Sequence, residues 1–461
     1  MTFYKKLTQN TYLIPILVFI CFALIFSLIS LYHHLTFNTN AFDLGIYSQM
    51  IYLYSQDLSL YSSLKHMVLL ADHFGPVLII LSPLVKLFPV PETLLITQAI
   101  FVSLSAIPLY LICLDKTKNI LLSFLLILSY ITSKGITAAI NFDFHLATIS
   151  VLPLSLILYF WYFKKWKLYW LTLIFSLLFK EDLPLFIAGL GLYQLIKDQK
   201  KLGLQTLTFA AISFYLIKFR LMALLWPGGA DTYLSSSVLP LNDPMTLLIL
   251  LFTRPFIFID QIFNAPVKIA TFINLNLPFA LLPLLSPLFW LGVFPYLFLR
   301  FSSSYSQMWT MDFHHNANLL PFLVISAAFA LTNFKIPHKP IIILLLVSLL
   351  FGGLNPRNII WSVFQSDFAN IKSYDYLNKS LDTIPPNAIV SAGSSIVPHL
   401  SNRRYIYMYP EVIDANYIVI DTSLTSYPLE NEELQERIMN LEQSPTWQLE
   451  RIKTLLIFKK K

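Results

Sequence analysis

The side chains able to do chemistry are few, and they gather where apolar runs stop. Asp43 stands in Ala41-Phe42-Asp43-Leu44-Gly45-Ile46-Tyr47. A carboxylate set against Phe42 and Tyr47 has its pKa moved toward working pH and is suited to act as general base on a hydroxyl acceptor. The same residue suits the N-cap of a helix beginning at Leu44, and the sequence leaves both roles open. Asn141-Phe142-Asp143-Phe144-His145 puts an acid and an imidazole two residues apart, a spacing that converges from a turn and not from one helix face. That pair suits a phosphate, or a divalent metal ion held by Asp143 and His145; the plainer role is Asp143 capping the next helix. Phe179-Lys180-Glu181-Asp182-Leu183-Pro184 sets three charges between two apolar runs. Lys180 suits an anionic phosphate, with Glu181 or Asp182 holding it, while an ion pair and a helix cap are the plainer roles. His73, in Asp72-His73-Phe74-Gly75-Pro76, joins Arg254, Arg300, His314 and His315 as substrate-binding candidates; the two arginines have the alternative of reaching lipid headgroups.

The elements that must position these groups follow from composition. Of 461 residues, 56% are hydrophobic, 15% aromatic and only 12% charged, about half the charge of a typical soluble domain, which excludes a water-soluble globule. Mean hydropathy is +0.65. Residues 356–461 carry 23 of the 57 charges, so the first 355 are broken into apolar runs that match the roughly 20 residues of a bilayer crossing. The net charge of +7 is spread over short loops, and with no nucleic-acid motif it reads as membrane orientation, with no nucleic-acid partner. Twelve glycines form no phosphate loop; Gly189 and Gly191 lie in an apolar run, where close helix packing explains them. Cys21 and Cys113 fall in different runs and make no disulfide or metal pair.

The pattern predicts an α-helical polytopic membrane protein of about 11 transmembrane helices, near 12–32, 92–113, 119–134, 145–163, 167–180, 183–197, 203–222, 264–280, 283–300, 316–333 and 340–355. Lys5 and Lys6 put the N-terminus in the cytoplasm, and the basic turns at Lys116, Lys164, Lys197 and Lys335 all become cytoplasmic with that count. His73 to Phe88 and Pro244 to Ile262 are left over as interfacial or partly inserted helices. The division is then a transmembrane domain, 1–355, with a long first outer loop, 33–91, and a small extracytoplasmic α/β domain, 356–461. In that tail we expect a helix over Asp367 to Leu381, strands at Ala388 to Ser391, Tyr405 to Tyr409 and Tyr417 to Asp421, and a brief helix at Ser395 to Leu400. A charged helix, Glu430 to Leu441, would precede a last strand, Trp447 to Phe458.

With this topology His33, His34, His66, His73, His145, His314 and His315 fall on the outer side, His399 lies in the outer tail, and only His338 is inside. Asp43, Asp57, Asp72, Asp143, Glu181, Asp182, Asp231 and Asp312 share the outer side. Ionisable groups at helix ends are costly unless paired or wet, so a one-sided collection predicts a water-filled cavity opening outward; the alternative is a set of solvated loops.

Several ordered motifs, Phe42-Asp43-Leu44-Gly45, His73-Phe74-Gly75-Pro76, Phe142-Asp143-Phe144-His145, Lys180-Glu181-Asp182, Ile384-Pro385-Pro386-Asn387-Ala388 and Val397-Pro398-His399-Leu400-Ser401, together resemble the domain-of-unknown-function 2079 family of prokaryotic membrane proteins over nearly the whole chain. More distantly, the chain resembles the C-type glycosyltransferase (GT-C) fold of protein mannosyltransferases and lipid A sugar transferases. Those proteins have an acid in the first outer loop, a His-Pro-type segment before the second span, an acid opening a later span and a lysine-bearing hairpin. Asp43, His73 to Pro76, Asp143 and Lys180 follow that order, although the paired acids common after the first span are reduced here to Asp43 alone.

That likeness implies a multi-pass protein of the plasma membrane moving a sugar from a polyprenyl-phosphate donor to an extracytoplasmic acceptor. Asp43 would activate the acceptor, Lys180 or an outer arginine would stabilise the departing phosphate, and Asp143 with His145 would orient substrate or hold a divalent ion. A donor arriving through the bilayer also accounts for the lack of a nucleotide fold. Two other classes fit the composition: a non-catalytic envelope assembly or sensor protein working through its tail, and a transporter, for which midplane charges and an internal repeat are wanting.

Overall fold

A computed structural model describes residues 9–56, 59–226, 246, 249–250, 253–353, 360 and 368–461. Lys5, Lys6, Asp57, Asp231, Asp367, part of the 244–262 stretch and the 355/356 division lie outside the described residues.

Helices dominate, and their ends are set by local chemistry. The first, α1 (Gln9–Leu35), leads through a tight loop into α2 (Ile46–Gln56). A two-strand hairpin, β1 (Tyr61–Ser62) with β2 (Met67–Val68), follows. Then α3 (Val90–Thr117) opens with proline in its first turn and closes on Lys118 at φ 55°. Asn119 starts α4 (Ile120–Asn141) by accepting the Leu122 N–H at 2.9 Å. Next come α5 (Leu146–Tyr162), Trp166–Ser176, α6 (Leu183–Ile196) and α7 (Lys200–Leu225). The bent pair Phe256–Phe263 and Pro266–Phe279 turns through 81°. After α8 (Pro287–Gly292) and Phe294–Phe301, the membrane part ends in α9 (Leu320–Asn333) and α10 (His338–Phe351).

Among the described residues five helices are long and apolar enough to cross a bilayer, or six with the bent pair, against about 11 expected. Each expected span contains helix, but several are cut short. The run 283–300 is the clearest departure: a turn at Leu282–Leu285, α8 and Phe294–Phe301 replace one span. Pro283, Pro287 and Pro295 remove backbone donors along it, which apolarity alone does not register.

The C-terminal sheet has the order β4-β3-β5-β7-β6, with β3 (Val390–Ala392), β4 (Ile406–Met408), β5 (Tyr417–Asp421), β6 (Trp447–Ile452) and β7 (Leu455–Lys460). The first three expected strands form as a parallel set, β4-β3-β5. The single last strand expected over Trp447 to Phe458 is instead the hairpin β6–β7, turned at Lys453 with φ 54°. Alternation assigns the faces. Ile418, Ile420, Leu456 and Phe458 pack under Leu434 and Ile438 of α11 (Asn431–Gln443), while Val419, Leu455 and Ile457 join the main core shared with the membrane helices. The sheet is also tied to the first loop: Ser63 bridges to the Ile406 carbonyl at 2.7 Å, and Gln49 donates to the Arg404 carbonyl at 3.1 Å.

Close helix contact explains the two glycines of α6. A Cβ on Gly189 would lie 2.3 Å from the Leu291 carbonyl oxygen and 2.5 Å from the Gly292 Cα. Backbone cannot rotate away as a side chain can, so Gly189→Leu must push α8 off α6 at a cost of about 1–3 kcal/mol or more. We expect a thermal unfolding midpoint several degrees lower for Gly189→Leu in detergent, and no change for Gly393→Ala, where the nearest atom is 3.9 Å from the added carbon.

Candidate functional site

Four loop segments, each closing an apolar run, bring their polar residues to one place: the Ala41–Gly45 turn, residues 72–74 before Val77, the 142–145 turn between α4 and α5, and the 180–182 turn before α6. The segment His314–Leu319, a tight turn of helix entering α9, supplies the fifth. His73, His145, Lys180, Glu181, Asp182, Arg300, His314 and His315 line one cavity enclosing about 740 Å³ of empty space. Asp43 adjoins it, with Oδ2 3.8 Å from His314 Nδ1. Of the other outer residues, His66 pairs with Glu411, Asp312 with Lys134, and His34 stacks on His399, all apart from this cavity.

The 142–145 turn is held by a residue that sequence reading missed. Gln98, buried in α3, donates to the Asp143 carbonyl at 2.6 Å and accepts the His145 N–H at 2.8 Å. Asp143 takes φ 101°, which a short polar residue tolerates better than most. Its carboxylate reaches across to accept the Asn40 N–H at 3.0 Å, fixing the loop that carries Asp43. Burial pushes the Asp143 carboxyl well above its usual range, against the backbone hydrogen bonds from Asn40 and Leu44. It does not cap the following helix. His145 does: its Nδ1 accepts the Ala147 N–H at 3.0 Å.

That cap decides the tautomer. With Nδ1 accepting, a neutral His145 carries its proton on Nε2, and burial holds this imidazole's pKa well below 6.5. The His145 and His314 rings stack at 3.4 Å between centroids, 12° from parallel. Asp43, His145 and His314 each have a ligand atom within 4.8 Å of the others'. With Nδ1 taken by the Ala147 N–H, His145 can offer a metal only the nitrogen that carries its proton. The trio therefore does not fit a metal ion in this arrangement, and the Asp143 and His145 atoms expected to ligate one are engaged with backbone N–H groups.

Along the cavity wall runs a chain of alternating charge. Lys65 lies 2.9 Å from Asp72, Asp72 3.9 Å from His73, His73 3.5 Å from Glu181, Glu181 3.5 Å from Lys180, and Lys180 2.6 Å from Asp182. Glu181 also accepts the Phe74 N–H at 3.0 Å, and Asp182 the Tyr296 hydroxyl at 2.9 Å. Burial opposes the charges of Asp72, His73 and Glu181, and neighbours overcome it. His73 is raised above 6.5 because Asp72 and Glu181 outweigh desolvation; Glu181 stays well below the usual carboxylate range because Lys180 and His73 do the same. Asp43 differs. Burial dominates its environment, His73 and Lys65 oppose it only in part, Asp72 adds to it, and the carboxyl is pushed up to about 6 although 20% of the side chain stays exposed.

Among the described residues lining the cavity, Arg300 has no carboxylate within ion-pair distance. It is 2% exposed, so it does not reach lipid headgroups. Its guanidinium donates to the His315 carbonyl at 3.0 Å, Asn316 Oδ1 at 2.8 Å and the Met308 carbonyl at 2.5 Å, all of them uncharged, and its buried Nε has no hydrogen-bond partner. Lys218 lines the same cavity from a π-turn, Ile217–Leu221, within α7, a local widening that recurs at functional sites. Leu185, Phe214, Leu299 and Met308 complete an apolar flank.

The fold is similar to the crystal structure of ArnT from Cupriavidus metallidurans bound to undecaprenyl phosphate: TM-score 0.56 at 12% sequence identity, covering 96% of this chain and 97% of that one. It is thus a fold like that of the C-type glycosyltransferases. No curated protein matches the chain. The family model described as predicted membrane protein DUF2079 matches residues 33–454, and the chain belongs to that family.

Proposed function

We propose that the cavity binds a polyprenyl-phosphate sugar and transfers the sugar to a hydroxyl acceptor on the outer face of the plasma membrane. The observation that carries this reading is Arg300, buried and with no carboxylate partner among the described residues, beside Lys180 and an apolar flank suited to a prenyl chain. Likeness of fold to a protein bound to undecaprenyl phosphate supports it.

In the transfer, the acceptor oxygen bonds to the anomeric carbon while its proton passes to the Asp43 carboxylate. The bond from that carbon to the phosphate oxygen breaks, and the leaving polyprenyl phosphate takes the electron pair. Lys180 and Arg300 stabilise the charge that develops on it. His145, with its proton on Nε2, serves as a hydrogen-bond donor to substrate, and Asp143 holds the Asp43 loop. Glu181 and Asp182 keep Lys180 in place; His73 is the cation between Asp72 and Glu181. His314 and His315 close the acceptor side, and the described part of the tail, 368–461, braces the first loop from the outer face.

The pH dependence tests the base. Only ionised Asp43 accepts a proton, so with its pKa near 6 turnover by reconstituted protein should be full above about pH 7 and fall about tenfold per unit below 6. A rate unchanged down to pH 5 would take Asp43 out of the chemistry.

A further inference from the structure

A second cavity, of about 810 Å³, has a different character. Its polar end carries Ser133, Lys134, Asn141, Asn274 and Asp312. Lys134 and Asp312 meet at 2.6 Å with more than half of each side chain exposed, so they neutralise one another and leave hydroxyl and amide groups as the rest of that end. Its apolar end is a stripe on α10, Leu344, Val347 and Phe351, facing Leu277 and Pro278. These three are 50%, 43% and 79% exposed, and at helical rise they span about 10 Å. The volume lies toward the upper end of the roughly 300–1,000 Å³ of a small-molecule pocket and has room for a polar head with part of a chain.

The two cavities are separated by an aromatic pair. Asn141 stands two residues before Asp143, and Asp312 two before His314. Between them Phe142 and Phe313 meet edge to face at 5.0 Å, with Phe142 5.3 Å from the His314 ring. A molecule whose head lies at Asn141 is therefore one aromatic layer from the Asp43 and His314 pair.

We propose that this groove binds an amphiphile with an uncharged, hydroxyl-bearing head and a hydrocarbon tail, the head at Asn141 and Asn274 and the tail along α10. Charge separates its ligand from that of the first cavity. A head of both donors and acceptors matches amides and hydroxyls, whereas among the described lining residues the one cation, Lys134, is already paired with Asp312. The further step, that this amphiphile is the sugar acceptor and enters past Phe142 and Phe313, rests on the transfer reading; occupancy of the groove does not.

The test uses full-length protein in nanodiscs carrying a trace of diazirine-tailed diacylglycerol or, separately, diazirine-tailed phosphatidylglycerol, with crosslinks mapped by mass spectrometry. The diacylglycerol probe should label Leu344 to Phe351 and Leu277 above the lipid-facing side of α7. Ala138→Trp, on the groove wall, should cut that labelling at least about fivefold. Leu344→Trp at the mouth gives the same reading if Ala138→Trp does not fold. Even labelling of all lipid-facing helices, or labelling untouched by both variants, overturns the groove; stronger labelling by phosphatidylglycerol overturns the uncharged head. The transfer reading fails separately: an Asp43→Asn protein that still transfers sugar, with groove labelling intact, removes the chemistry and leaves the binding site.

Discussion

Asp43→Asn lowers sugar transfer by about 10²- to 10⁴-fold in a reconstituted assay, the range that a positioned general base contributes. Shape is kept, because asparagine is isosteric and the loop is held by backbone contacts: Asp143 to the Asn40 N–H, and Ser394 to the Ala41 N–H. The thermal unfolding midpoint should therefore stay within a degree or two of wild type. The residual rate should also lose the acid limb near pH 6, since the group that titrates there is gone. A variant that is merely misfolded would lose rate and stability together, and its remaining activity would keep the same pH profile.

Glu181→Gln should have the largest effect on stability. Glu181 is the middle carboxylate of the alternating chain, and its loss breaks two buried pairs at once, leaving His73 with Asp72 alone and Lys180 with Asp182 alone. Breaking a buried ion pair by removing one partner costs about 3–5 kcal/mol. Glu433→Gln is the control: its partner Arg437 lies one turn away on α11 with both side chains nearly half exposed, where such a pair contributes only about 0.3–0.5 kcal/mol. A midpoint lowered by several degrees in the first variant and unmoved in the second is expected. Equal behaviour of the two would mean that the chain of charges is solvated and does not organise the cavity.

Much of this site was legible because a membrane protein leaves charge few places to go. Ionisable residues confined to the ends of apolar runs on one side have to meet one another or water, and Asp43, His73, Lys180, Arg300 and His314 could be grouped on that ground alone. What was not legible was the direction of each side chain. Asp143 and His145 read as a ligand pair, yet one clamps the Asn40 backbone and the other caps a helix; two residues of spacing do not tell which atoms face inward. Gln98 left one signal, an amide within an apolar run, where an unpaired polar group is costly. Lys218 left the same kind of signal, a charge inside the 203–222 run, although the π-turn that carries it is not marked by the sequence. The count of about 11 helices is not confirmed, for a related reason. Hydropathy marks what is apolar, and a core buried beside the bilayer is as apolar as a span, so Pro283, Pro287 and Pro295 decided the geometry of 283–300.

Mass spectrometry of the purified protein, released from detergent under native conditions, tests the central claim most directly. A polyprenyl phosphate should remain bound to the wild type and to Asp43→Asn, and should be lost when Arg300 and Lys180 are both replaced by alanine in a protein that remains folded. Wild-type protein that carries no such lipid even after incubation with undecaprenyl phosphate, or a double variant that retains it, would contradict the account.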